Sequence, residues 1–215
     1  MFQDRKDAGR RLAEKLAKYR GLPNLLVLGL PRGGVPVAFE VAQSLASPLD
    51  IFVVRKLGVP GREELAMGAI ASGGIVIRND VVIHGLAISD KLFATAIERE
   101  RDELDRRERV CRGNRELVNA TDRVVILIDD GLATGASMLA ALQAVRVHRL
   151  ARLVVAVPVA AAQTIERIRG LADDIVAVMV ARNLGGVGQW YDDFRQTSDA
   201  EVRELLLFHE EQRRA

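Results

Sequence analysis

Apolar residues repeat along this chain with two different periods, and the two alternate. Residues 4–19 carry Ala8, Leu12, Leu16 and Tyr19 on one helical face with charges on the other, and Gly21-Leu22-Pro23 ends that helix. Asn24 to Gly29 reads as a short buried strand, Val35 to Leu45 as a helix with Pro36 tolerated in its first turn, and Leu49 to Val54 as the next strand. Ser89 caps a long charged helix reaching about Arg112, whose sparse apolar marks are Leu92, Ala96, Leu104 and Val110. Val124 to Ile128 is a continuous apolar, β-branched run, the mark of a strand buried on both faces. A helix opens at Ala136. Then come a strand at Leu153–Val157, a helix at Ala162–Arg169 and a strand at Ile175–Val180. Ser198 and Glu201 form a capping box for a terminal helix.

Strands alternating with helices imply an α/β fold with a central, mostly parallel sheet and right-handed crossovers. One region fits neither period. In residues 57–74, LGVPGREELAMGAIASGG, glycine and proline at both ends predict a mobile segment, and the middle fits either a helical turn or a strand. Ile75–Arg78 and Val81–Ile83, around Asn79-Asp80, are expected to form a hairpin.

Composition narrows the class. With 215 residues, 49% hydrophobic, the chain has ample material for one α/β core. Aromatics at 4% argue against a base-stacking nucleic-acid surface, and a net charge of +2 is too mild to demand a polyanion partner. The basic run Arg106–Arg115 lies amid Glu103, Asp105 and Glu108, so it reads as a solvated helix face. The longest apolar stretch, Leu153–Ala162, carries Pro158 and is too short to span a bilayer. The lone Cys111 excludes an internal disulfide and fits a reducing cytoplasm, and the charged N-terminus lacks the apolar core of a signal peptide. His84, His148 and His209 are isolated, so no protein-built zinc site is visible.

The chemistry concentrates between Arg123 and Leu142, RVVILIDDGLATGASMLAAL. Asp129 and Asp130 follow a strand, a small-residue turn Gly131-Leu132-Ala133-Thr134-Gly135 follows them, and a helix begins. Backbone N–H groups and the hydroxyls of Thr134 and Ser137 then gather at a helix N-terminus, which binds phosphate. Two carboxylates would repel that phosphate unless they address another part of the ligand. Vicinal ribose hydroxyls fit, since each donates a hydrogen bond to an ionised acid. The segment is not a Walker A loop, because Gly-Lys-Ser/Thr is missing, nor a nucleophile elbow, because Gly135-Ala136-Ser137 has no closing glycine. A second loop, Pro31-Arg32-Gly33-Gly34, offers amides and one fixed cation at a helix start, which suits a diphosphate. Arg55-Lys56 puts two cations at the end of the second strand.

VILIDDGLATGAS, residues 125–137, resembles the 5-phosphoribosyl 1-diphosphate (PRPP) signature of type I phosphoribosyltransferases. FQDRKDAGRRLAEKL, LPRGG and QWYDDF extend the likeness to a bacterial branch less well defined than the salvage enzymes. The resemblance implies that family's fold over residues 1–215: a core of about 22–182, a hood from about 1–20 and 183–215, and a flexible loop of about 57–74. It implies that Asp129 and Asp130 take the ribose diol, that Gly131, Leu132, Ala133, Thr134, Gly135 and Ser137 take the 5′-phosphate, and that Pro31, Arg32, Gly33 and Gly34 take pyrophosphate, with a cis bond expected at Pro31–Arg32. Arg55 and Lys56 would contact the departing pyrophosphate or the 5′-side of the ligand, and residues 57–68 would close over the diphosphate. Trp190 or Tyr191 in the hood would stack on the acceptor; packing of the hood against helix 4–19 is the competing role for at least one of them. Mg²⁺ would be held mainly by PRPP, near Asp129 and Asp130. The implied reaction moves a phosphoribosyl group onto a nitrogenous base, in a possible homodimer without nucleic-acid or membrane partners. A non-catalytic PRPP-binding regulator and a different sugar-phosphate enzyme remain open, and no residue names the acceptor.

Overall fold

The apolar runs Leu25–Gly29, Val124–Ile128 and Arg152–Ala161 lie side by side in a parallel sheet and are buried on both faces. The structure is a computed structural model and describes residues 1–113 and 115–214. Asn114, within the basic run, and Ala215, at the end of the expected hood, lie outside the described residues. Along the chain run α1 (Arg5–Lys15), β1 (Leu25–Gly29), α2 (Gly34–Leu45), β2 (Leu49–Ile51), β3 (Val54–Val59), β4 (Arg62–Ala71), β5 (Ile75–Arg78), α3 (Asp80–Gly85), α4 (Asp90–Arg112), β6 (Val124–Ile128), α5 (Ala136–Val145), β7 (Arg152–Ala161), α6 (Ala162–Ile168), β8 (Asp174–Ala181) and α7 (Asp199–Arg214). The main sheet has the order β2-β1-β6-β7-β8, all parallel.

Leu25 and Val27 of β1, with Ile126 and Ile128 of β6, face a core shared with α1, α2, α4 and α7. Leu26 and Leu28, with Val125 and Leu127, face a second core built on α5. Neither parity is left for water, so the strands read as unbroken apolar runs. A third cluster, Phe2, Ala8, Val159, Ala161, Leu184 and Tyr191, joins the N-terminal segment to the segment after β8, over β7. Register fixes the site: Gly29 pairs with Ile128, so β1 and β6 end level and their following loops emerge together at the carboxyl edge.

Several expected elements differ. The run Leu49–Val54 is not one strand: it leaves the main sheet after Ile51, and β3 starts at Val54 in a separate antiparallel sheet, β3-β4-β5. The switch is made at Val53, whose N–H donates to Ser72 Oγ (2.9 Å) while its carbonyl accepts from Ser72 N–H (2.9 Å). Of the two alternatives for the middle of residues 57–74, the strand holds and the helical turn does not. These residues complete β3 and form β4, and the chain reverses at Pro60-Gly61, where Gly61 has φ +76°. No hairpin forms at 75–83. β5 pairs with β4, and Asn79 Oδ1 accepts from Val82 N–H (3.4 Å) to cap α3. Ser89 does cap α4, accepting from Leu92 N–H (3.2 Å).

Candidate functional site

β6 delivers Asp129 and Asp130 to the carboxyl edge, both half-buried. Asp130 N–H donates to Asp129 Oδ1 (2.9 Å). Asp130 Oδ2 accepts from Nε (2.9 Å) and Nη2 (2.8 Å) of Arg5, the first residue of α1. Each acid therefore has one oxygen held by the protein. Asp129 Oδ2 and Asp130 Oδ1 have no hydrogen-bond partner among the described residues. Burial and the neighbouring Asp130 charge raise the Asp129 carboxyl well above the ordinary aspartate range. Burial also raises Asp130, and the Arg5 guanidinium opposes it.

The loop after the acids is pinned at two points. Leu132 N–H donates to Val159 O (2.8 Å) and its carbonyl accepts from Ala161 N–H (2.8 Å), so Leu132 belongs to the sheet edge and its amide is not free for a phosphate. Thr164 Oγ1 donates to Ala133 O (2.5 Å). Gly135 has φ +72° at the start of α5, a conformation glycine takes without a Cβ penalty. Among the described residues the amides of Gly131 and of 133–135 find no partner, and Thr134 and Ser137 are exposed.

The Pro31–Arg32 bond is cis. Leu30 N–H donates to Ile128 O (2.8 Å), which ties this loop to the end of β6. A Cβ on Gly33 would lie 2.0 Å from Asp130 Oδ2 and 3.2 Å from Arg5 Nε, so the loop touches the acid pair closely only as glycine. Arg32 is half-exposed, with Nη1 3.9 Å from Asp199 Oδ1.

Arg55 and Lys56 sit within β3, not at the end of a main-sheet strand, and alternation sends them to opposite faces. Arg55 Nε and Nη2 donate to Glu100 Oε2 on α4 (2.9 and 2.6 Å), which commits Arg55 away from a pyrophosphate. Lys56 remains exposed and lines, with Ser137, a cavity of about 540 Å³ between α5 and the antiparallel sheet. Lys56, and not Arg55, shares a cavity with Ser137 at the start of α5.

The two aromatics also part. Tyr191 is buried between Phe2 (centroids 5.3 Å) and Phe194 (5.0 Å), and its hydroxyl donates to Asp130 O (2.6 Å). It packs the N-terminal segment against residues 184–194 and β7, and its buried ring is not presented to solvent. Trp190 is half-buried, with Nε1 3.4 Å from Leu184 O.

Arg5 is the site residue that the sequence pattern hides, because it falls among the charges of the first helix. Its position carries a signal all the same: Arg5, Ala8, Leu12 and Leu16 follow helical spacing, which puts a cation in line with the apolar stripe.

A parallel α/β sheet that ends in an acid pair, a glycine loop and a helix N-terminus defines a class of ligand-binding α/β proteins with the site at the strand ends. The chain belongs to the type I phosphoribosyltransferase family: the family described as "Phosphoribosyl transferase domain" matches residues 2–181. The Mycobacterium tuberculosis protein named "Putative phosphoribosyl transferase Rv0571c" is 47% identical over 207 residues, which is 96% of this chain and 46% of that protein. This chain thus spans about half the length of the curated relatives it matches. The crystal structure of TT1426 from Thermus thermophilus is similar throughout, with 42% identity and a TM-score of 0.86 over 96% of this chain and 98% of that one.

Proposed function

We propose that this chain binds PRPP with Mg²⁺ and transfers its phosphoribosyl group to a nitrogen nucleophile, releasing pyrophosphate. The observation that carries the reading is the pair of unpaired oxygens, Asp129 Oδ2 and Asp130 Oδ1, beside a loop of unpaired amides. Two acceptors suit two vicinal hydroxyls, and the amides of residues 131 and 133–135 with Thr134 and Ser137 suit the 5′-phosphate. The Pro31–Gly34 loop, level with the acids, suits the diphosphate. The acceptor's lone pair forms the new bond to the anomeric carbon, the C–O bond breaks, and its electron pair leaves on pyrophosphate. The chain's part is to position the sugar and to meet the developing charge.

The donor set at this edge is two carboxylates, and no group of three or more His, Cys, Asp or Glu converges among the described residues. That suits a cation carried in by the ligand's diphosphate and hydroxyls rather than one caged by the chain. When bound, Mg²⁺ offsets charge on the departing diphosphate.

A PRPP-binding regulator is the second reading, favoured by the burial of Tyr191, which leaves the hood with Trp190 alone as an expected stacking surface. Calorimetry with PRPP–Mg²⁺, followed by pyrophosphate release across a panel of nucleobases, separates the two. Binding with base-dependent release supports transfer, and binding without release supports regulation. Failure to bind PRPP overturns both.

A further inference from the structure

We propose that Arg5 is a positioning residue for the sugar site: it holds Asp130 by one oxygen so that the other is aimed at the ribose diol. The inference rests on the sugar-phosphate reading above and goes beyond it by assigning a role to the N-terminal helix. The guanidinium is fixed on every side. Nε and Nη2 both donate to Asp130 Oδ2, at 2.9 and 2.8 Å, and neither reaches Oδ1. Nη1 donates to Arg195 O (2.7 Å) in the hood. The cation lies 4.0 Å over the Phe194 ring, which packs against Tyr191. Tyr191 in turn donates to the Asp130 carbonyl (2.6 Å), so the side chain of Asp130 is held from α1 and its backbone from the segment after β8.

The geometry is that of a clamp rather than a surface ion pair. The Arg5 side chain is 11% exposed and Asp130 15%. A half-buried carboxylate with a free χ2 would rotate and offer either oxygen. With Oδ2 fixed by two donors, Oδ1 is presented in one direction. Glycine at 33 lets the Pro31–Gly34 loop pack on the same pair, so one contact sets the sugar's acceptors relative to both loops. Preorganisation of this kind strengthens binding by removing the cost of ordering the acceptor.

The test uses ribose 5-phosphate and 2-deoxyribose 5-phosphate, which share the phosphate and differ in one hydroxyl of the diol. Each is titrated into the unaltered protein, Arg5→Gln and Arg5→Lys, with melting curves for all three. The expected result is that the unaltered protein prefers the ribose form. Arg5→Gln should lose most of that preference, tenfold or more, while affinity for the deoxy form stays within about twofold, and Arg5→Lys should recover part of it. Arg5→Gln weakening both ligands equally, or keeping the full preference, overturns the role. Loss of preference in Arg5→Gln with no recovery in Arg5→Lys, at equal melting temperatures, also counts against a charge-based clamp. If the unaltered protein binds neither sugar phosphate, the sugar-phosphate reading itself has failed, which is a different outcome from an unchanged preference in the variant.

Discussion

At the scale of single residues, the acids work against the fold they sit in. Asp129 is raised by burial and by Asp130, so its charged form costs stability in the folded state. For a carboxyl whose folded value lies above its unfolded value, the penalty is full above the folded value. It fades as pH falls and is gone below the unfolded value. Asp129→Asn keeps an oxygen for the Asp130 amide and removes the charge. It should melt higher than the parent at neutral pH, and the gap should shrink as pH is lowered toward the ordinary aspartate range. A gap that is flat with pH would show that Asp129 carries no such penalty. The same substitution should weaken PRPP binding by about 1.5–3 kcal/mol, roughly ten- to hundredfold, since it removes a charged acceptor.

The aromatic pair now separates by measurement. Trp190→Ala should lower acceptor affinity roughly tenfold and leave PRPP affinity nearly unchanged, because stacking is worth about 1–3 kcal/mol per base. Tyr191→Ala should instead act on stability, by about 3–5 kcal/mol as for other buried aromatics, and Tyr191→Phe by about 1 kcal/mol for its hydrogen bond. Equal effects of Trp190→Ala on both ligands would place Trp190 with the hood packing.

At the scale of elements, the acid–loop–helix unit was legible because its parts are local: an apolar run, two charges, glycines, a helix start. The antiparallel sheet was not. Phe52 and Val53 are as apolar as the strand before them, so nothing in the pattern marks the change of sheet. The β4 tip is Arg62-Glu63-Glu64-Leu65, a charged stretch with no alternation to read, and slips in register at Leu57–Val59 blur the other arm. The pattern misplaces Arg55 and Lys56 for the same reason, since a residue's face depends on which sheet its strand joins. The hairpin tip is exposed from Pro60 to Leu65. It should exchange amide hydrogens quickly without ligand and more slowly with PRPP–Mg²⁺. Rates in residues 57–68 that are equal in both states would mean the hairpin does not close over the ligand.

At the scale of the molecule, the parallel order followed from alternation of strand and helix, but the meeting of the N-terminal segment with residues 184–194 did not. Phe2 and Arg5 lie near one end of the sequence and Tyr191 near the other, and no local pattern links them. Phe2 is fully buried, and its N–H donates to Trp190 O (2.8 Å). Met1 beside it is exposed. The far end of α7 lies elsewhere: His209 Nε2 is 2.8 Å from Ser47 O, just before β2, and Arg213 lines a cavity with Leu25 and Arg123 at the amino edge of the sheet. Attachment points are therefore unequal. A purification tag or fused protein ahead of Met1 should pull on Phe2 and through it on the start of α1, whereas one joined past α7 should depart from the amino edge, opposite the candidate site. Of two otherwise identical fusions, the leading one should bind PRPP severalfold more weakly and the trailing one should match the untagged chain. Equal affinities would show that the buried Phe2 anchor shields the site from whatever is hung on it.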